Sequence, residues 1–151
     1  MEYPQFIAID ASSFEEHAHP IAIAWSLSNG QIKTTLISPD DQWEDEDWDI
    51  SLQDLHGINS ETLYQRGETT WSVIRELEHD LANPYIYADD HMRVEILLSK
   101  LYESCERELS IEIGGFREIV VETRLVEHAY FQITCDERVQ QLLQDWAALQ
   151  E

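Results

Sequence analysis

The sequence predicts an α/β domain: a mixed sheet, opening as an antiparallel three-stranded meander, with helices on its faces. Three observations carry that expectation. Short apolar runs separated by turn residues fill the first quarter of the chain. Apolar stripes at helical spacing recur after them. The two kinds then alternate as three strands, helices, strand, helix, strand, helix, the order of an α/β protein. With 151 residues, 43% of them hydrophobic, and five Trp, residues 1–151 suit one domain with a proper core.

Residues 5–10 read as the first strand, with Phe6-Ile7-Ala8-Ile9 running into Asp10. Residues 20–28 read as the second and residues 31–37 as the third, joined by the hairpin signal Asn29-Gly30. Beyond Pro39 comes an acidic stretch, Asp40 to Asp49, interrupted by Trp43 and Trp48. Such a run repels itself and reads as a solvated loop, with the two Trp docking it onto the body. Residues 60–66 read as a short helix capped by Ser60, and residues 70–82 as a longer one capped by Thr69 or Thr70. Trp71, Ile74, Leu77, Glu78 and Leu81 mark the stripe of the longer helix. Pro84 ends the helical pattern, and Tyr85-Ile86-Tyr87-Ala88 reads as strand four. Residues 91–106 form an amphipathic helix facing inward through Val94, Leu97, Leu98, Leu101 and Tyr102. Gly114-Gly115 marks a turn or bulge, and Ile119-Val120-Val121 the centre of a last strand. The closing helix, 136–149, carries Val139, Leu142, Leu143, Trp146 and Leu149.

Charge limits the function. Nine basic residues face 31 acidic ones, a formal net charge of −22. Nucleic-acid binding rests mainly on neutralising phosphates with Lys and Arg. Here those residues are scattered, so binding to nucleic acid by the chain alone is expected to be weak or absent. The charge suits solubility first, as in any strongly acidic soluble protein, and beside that a basic protein partner. The two cysteines, Cys105 and Cys135, have no CxxC spacing, which suits a reduced protein. With no long apolar segment and no basic-apolar leader at Met1-Glu2-Tyr3-Pro4, a cytoplasmic location and no membrane association are expected. His17 and His19 read as part of a solvated loop, His56 as support for the turn at Gly57, and His79, His91 and His128 have no partners at ligand spacing.

Asp10, a carboxylate at the tip of an apolar first strand, is the leading candidate functional residue. Ser12 lies two positions on, which in an extended strand means the same face. Phe6 to Asp10 followed by Ile21 to Trp25, the sequence Leu36-Ile37-Ser38-Pro39 leading to Leu55-His56-Gly57-Ile58-Asn59, and the strand and helix from Tyr85 to Leu98 together resemble the DnaQ-like, DEDD-type 3′–5′ exonucleases of the ribonuclease H-like superfamily. The resemblance spans most of residues 5–100. It implies a ribonuclease H-like fold and a site at Asp10.

Carried over residue by residue, the first family motif, Asp-x-Glu, is met by Asp10, with Ser12 in place of the Glu. Arg93 falls where the second motif has an Asp. Asp136 is the best match to the third-motif acid, and Phe131 and Gln132 stand where the general base would be, with His128 and Tyr130 out of register. Two-metal phosphodiester cleavage needs carboxylates holding two ions roughly 3.5–4 Å apart. Mg²⁺ prefers charged or carbonyl oxygen donors in octahedral array, which Ser12 and Arg93 do not supply. The resemblance therefore implies an exonuclease-like domain with a degenerate site, acting as an interaction or regulatory module. Two other readings stand beside it. One is an active Mg²⁺ or Mn²⁺ nuclease for short oligonucleotides, its metal held by Asp10, Asp89 or Asp90, and Asp136, with Glu15 or Glu16 assisting. The other is an acidic decoy for a nucleic-acid-binding protein. Asp89-Asp90 also have a simpler role, capping the helix that begins at residue 91.

Overall fold

The computed structural model describes residues 2–13, 15, 17–43, 54–55, 57–123, 125 and 132–150. Five strands, β1 (Phe6–Ala11), β2 (Pro20–Ser26), β3 (Ile32–Leu36), β4 (Tyr85–Ala88) and β5 (Glu112–Gly115), form one mixed sheet in the order β3-β2-β1-β4-β5. β1, β2 and β3 make the antiparallel meander, while β4 and β5 run parallel to β1. Among the described residues, the helices that accompany them are α1 (Ser60–Arg66), α2 (Thr70–Asp80), α3 (His91–Glu103) and α4 (Cys135–Leu149).

β1 is apolar at almost every position because it lies mid-sheet with both faces covered. Ile7 and Ile9 pack with Ile23, Trp25 and Ile86 against α2 and α3. Phe6 and Ala8 pack on the opposite face with Ile21, against Leu63 of α1 and Val139 and Leu142 of α4. The period of two thus sorts one strand between two cores. Buried Gln5 ties the start of β1 to its neighbours: its amide donates to the carbonyls of Ser26 and Asp80, and its oxygen accepts from the Ala82 N–H. Gly30, at φ +88°, makes the β2–β3 turn, and Asn29 accepts from the Gln31 N–H at 2.9 Å.

Several boundaries differ from expectation. Asn59, not Ser60, caps α1 by accepting from the Thr62 N–H at 2.9 Å, because Ser60 is already helical. Thr69 caps α2. Trp71 does not join the core: it is half exposed, with the Arg75 guanidinium over its ring, and Val73 takes the inward place. The last strand lies at Glu112–Gly115 and not around Ile119. Gly114 and Gly115 belong to it because β5 runs beside β4, where a Cβ at Gly114 would strike the Tyr85 hydroxyl. Residues Phe116–Glu118 then form a 3₁₀ turn that buries Val120 and leaves Val121 exposed, so the apolar triplet is split between core and solvent. His19 is buried, not solvated, and stacks on buried Trp43 with ring centroids 5.2 Å apart. Trp43 therefore docks on the body as expected. Trp48 and the acidic run from Glu44, with Glu16, His56, His128, Tyr130 and Phe131, lie outside the described residues.

Two predictions arise here. A Cβ on Gly67, just after α1, would fall inside the contact distance of the Ser38 nitrogen, the Leu63 oxygen and the Ile37 carbonyl carbon. All are backbone atoms, held by the Ser38–Glu68 and Glu68–Leu36 hydrogen bonds, so no side chain can rotate away. Gly67→Ala should cost about 1–3 kcal/mol in urea unfolding; an unchanged midpoint would show that α1 does not close on β3 this tightly.

The second prediction concerns Asp80. Its Oδ2 accepts from the Trp25 indole and from Lys33 Nζ, both at 2.9 Å. Burial raises its pKa, but the Lys33 and Trp25 hydrogen bonds outweigh burial and the carboxyl titrates below its usual range. A lowered folded pKa contributes stability that is full above the unfolded pKa and lost as pH falls through the folded one. Lys33→Met should therefore destabilise by up to about 1 kcal/mol at pH 6, since Lys33 is partly exposed, and the difference should fade as pH falls through the lowered carboxyl pKa. A wild type-to-variant gap that persists at acid pH would contradict the pairing.

Candidate functional site

Strand parity brings the acids together. Asp10 shares its face of β1 with Phe6 and Ala8, and Asp89, just past β4, continues the face of Tyr85 and Tyr87. Both acids stand at the carboxyl ends of adjacent parallel strands, beneath the amino end of α4. Asp10 is 2% exposed, and its Oδ2 accepts from the Cys135 N–H in the first turn of α4 at 2.9 Å. A carboxylate is favoured there by free N–H groups and the helix dipole.

The centre of the site is a residue the sequence reading passed over. Arg138 of α4 is 1% exposed and reaches back between the two acids. Its Nη1 donates to Asp10 Oδ1 at 2.9 Å and its Nε to Asp89 Oδ2 at 2.6 Å. Nη1 also donates to the Ile133 carbonyl and Nη2 to the Ile9 carbonyl. Burial opposes the charge on Arg138, but the Asp89 and Asp10 carboxylates more than offset it and raise its pKa. A signal for this was in the sequence: Arg138 falls on the same helical face as Cys135 and Leu142, a cation inside an apolar stripe. Such a residue is rarely buried without a partner.

The other candidates go elsewhere. Asp90 caps α3, accepting from the Arg93 N–H at 3.2 Å. Asp136 is exposed and lies 2.6 Å from the Thr134 hydroxyl, so it is not brought to Asp10. Ser12 sits past a register shift in β1, and its hydroxyl accepts from the His19 N–H. Arg93 donates to the Ser13 carbonyl at 2.8 Å, and Lys100 to the carbonyls of His17 and Ala18, so α3 straps the β1–β2 connection. Glu15 is exposed. Burial, reinforced by Asp10, pushes the Cys135 thiol well above its usual range, so it stays protonated at neutral pH and is not a nucleophile.

The described side chains do not suit the two metal ions that the sequence resemblance implies. Both oxygens of Asp10 and one of Asp89 already accept hydrogen bonds, and a guanidinium lies between the two acids. Asp89 Oδ1 is the one buried carboxylate oxygen of the pair without a hydrogen-bond partner. Among the described residues, no three His, Cys, Asp or Glu side chains are grouped to hold a metal ion.

Sheet order, strand directions and flanking helices define a ribonuclease H-like α/β fold. No protein-family model matches the chain, and no curated protein matches it in sequence. Solved structures of E. coli exonuclease I do share its fold. A complex with a dT13 oligonucleotide aligns with a TM-score of 0.56 and 11% identity, over 80% of this chain and 29% of that one. A complex with a 5cy-dA13 oligonucleotide aligns with a TM-score of 0.61 and 8% identity, over 99% and 39%. A zinc-bound form of the exonuclease–single-stranded DNA complex gives 0.57 and 9%, over 79% and 29%. The chain therefore spans well under half of each of these exonuclease chains. Among the described residues, no helix is long and apolar enough to cross a membrane.

Proposed function

We propose that this is a DnaQ-like, DEDD-type exonuclease domain whose metal centre has been replaced by an internal arginine, and that it serves as an interaction or regulatory module. One observation carries this reading: the Arg138 guanidinium is ion-paired to both Asp10 and Asp89 and buried between them. The fixed positive charge neutralises the acids from within the chain, where a nuclease of this class would use cations. The net charge of −22, without a basic cluster, supports weak nucleic-acid binding as well.

The alternative, an active Mg²⁺- or Mn²⁺-dependent nuclease on short oligonucleotides, draws on the unpartnered Asp89 Oδ1. The deciding experiment incubates the wild-type chain with short 5′-labelled single strands and millimolar Mg²⁺ or Mn²⁺, and follows thermal unfolding with the same ions. No shortening and no metal-induced rise in midpoint are expected. Metal-dependent shortening that Asp10→Asn abolishes would overturn the reading in favour of the nuclease.

A further inference from the structure

Four aromatic side chains meet at the end of the sheet opposite Asp10 and Asp89. Tyr3 precedes β1, Tyr85 and Tyr87 lie on β4, and Trp146 is near the end of α4. Together they line a cavity of about 360 Å³. Tyr3 packs on Trp146 with centroids 5.5 Å apart, and Tyr85 meets Tyr87 edge-on at 5.0 Å. All four rings are half-buried. Among the described residues lining the cavity there is no Lys or Arg, and Glu2 contributes a carboxylate. The Tyr85 hydroxyl donates to Glu118 at 2.8 Å, which sets a second carboxylate beside the aromatic group.

Ring faces attract cations through their quadrupole, and arginine is the usual biological choice because its planar guanidinium stacks as well. The chain already uses that contact: Arg107 lies over Tyr102 and Arg117 over Phe116, with about 5 Å from guanidinium to ring centroid. The strongly negative molecule would also draw a basic segment towards it. We infer that this aromatic cavity binds an arginine side chain presented by a basic protein partner. The inference rests on the reading of the domain as an interaction module and gives that module a partner chemistry.

The test is an NMR titration of the ¹⁵N-labelled chain with a short Gly/Ser peptide carrying one Arg, beside the same peptide with citrulline. The Trp146 indole N–H should shift saturably. Binding should weaken roughly tenfold or more with citrulline, and likewise in Tyr3→Ala and Trp146→Leu. Tyr3 lies outside every strand and helix, so its truncation keeps the test valid if Trp146→Leu fails to fold. Equal response to citrulline, unchanged affinity in Tyr3→Ala, or no saturable Trp146 shift at millimolar peptide would overturn the inference. Nuclease activity in the same preparation would instead overturn the module reading, and the titration distinguishes that failure from a failure of the cavity to bind.

Discussion

Arg138→Met is expected to destabilise the chain by about 3–5 kcal/mol, the cost of leaving buried charges without their partner. Met keeps much of the side-chain volume, so the loss reports charge and hydrogen bonds and not a cavity. Asp10 and Asp89 would face one another uncompensated, and the carbonyls of Ile9 and Ile133 would each lose a donor. For a chain of this size the midpoint should fall by roughly 6–20 °C. The variant should also gain a response to divalent cations, where none is expected of the wild type. With the guanidinium gone, Mn²⁺ is the natural counter-ion for two adjacent carboxylates. A cation at a hundred times its dissociation constant would restore about 2.7 kcal/mol. Thermal unfolding of both proteins, with Mn²⁺ and with chelator, checks this. A variant as stable as wild type, or one that folds yet ignores Mn²⁺, would show that Arg138 is not the internal replacement for a metal.

What the sequence revealed and what it hid follow from different physics. The strands and helices were legible because period-two and helical patterns report burial directly, as in β1 and in the α3 stripe of Val94, Leu97, Leu98 and Leu101. The misplaced last strand shows where that signal fails. Ile119-Val120-Val121 has strand composition, but the glycines before it are what let β5 lie against Tyr85. Asp10 was legible as a carboxylate at the tip of a buried strand. Asp89 was named only as one of two choices, although the period of two in β4 already puts Asp89, and not Asp90, on the face of Tyr85 and Tyr87. The place of Arg138 in an apolar stripe signalled its burial, but its pairing was hidden because its partners lie 128 and 49 residues away and no local motif records such a contact. The family resemblance points to Asp136, two residues earlier, which lies outside the inward stripe of α4.

The two acids themselves give the second large effect, and their inequality is the informative part. Asp10 accepts through both oxygens, one from Arg138 Nη1 and one from the Cys135 N–H. An asparagine there offers one acceptor and one donor. Whichever way its amide turns, an NH₂ group meets a donor, so Asp10→Asn should cost about 3–5 kcal/mol. Asp89 accepts from Arg138 through Oδ2 alone, while its Oδ1 has no partner. In Asp89→Asn the amide oxygen can keep the Arg138 bond and the NH₂ take the unpartnered side, so the loss should be about 1–2 kcal/mol, the difference between a charged and a neutral acceptor. A metal-binding carboxylate pair would behave in the opposite sense. Without its cations the like charges repel, and neutralising either acid relieves that repulsion. Urea unfolding in chelator therefore separates the two architectures by sign. Destabilisation by both substitutions, clearly larger at Asp10, marks an arginine-locked site. Stabilisation by either one would mean that Arg138 does not neutralise the pair, and with it the structural basis for a non-catalytic domain would fall.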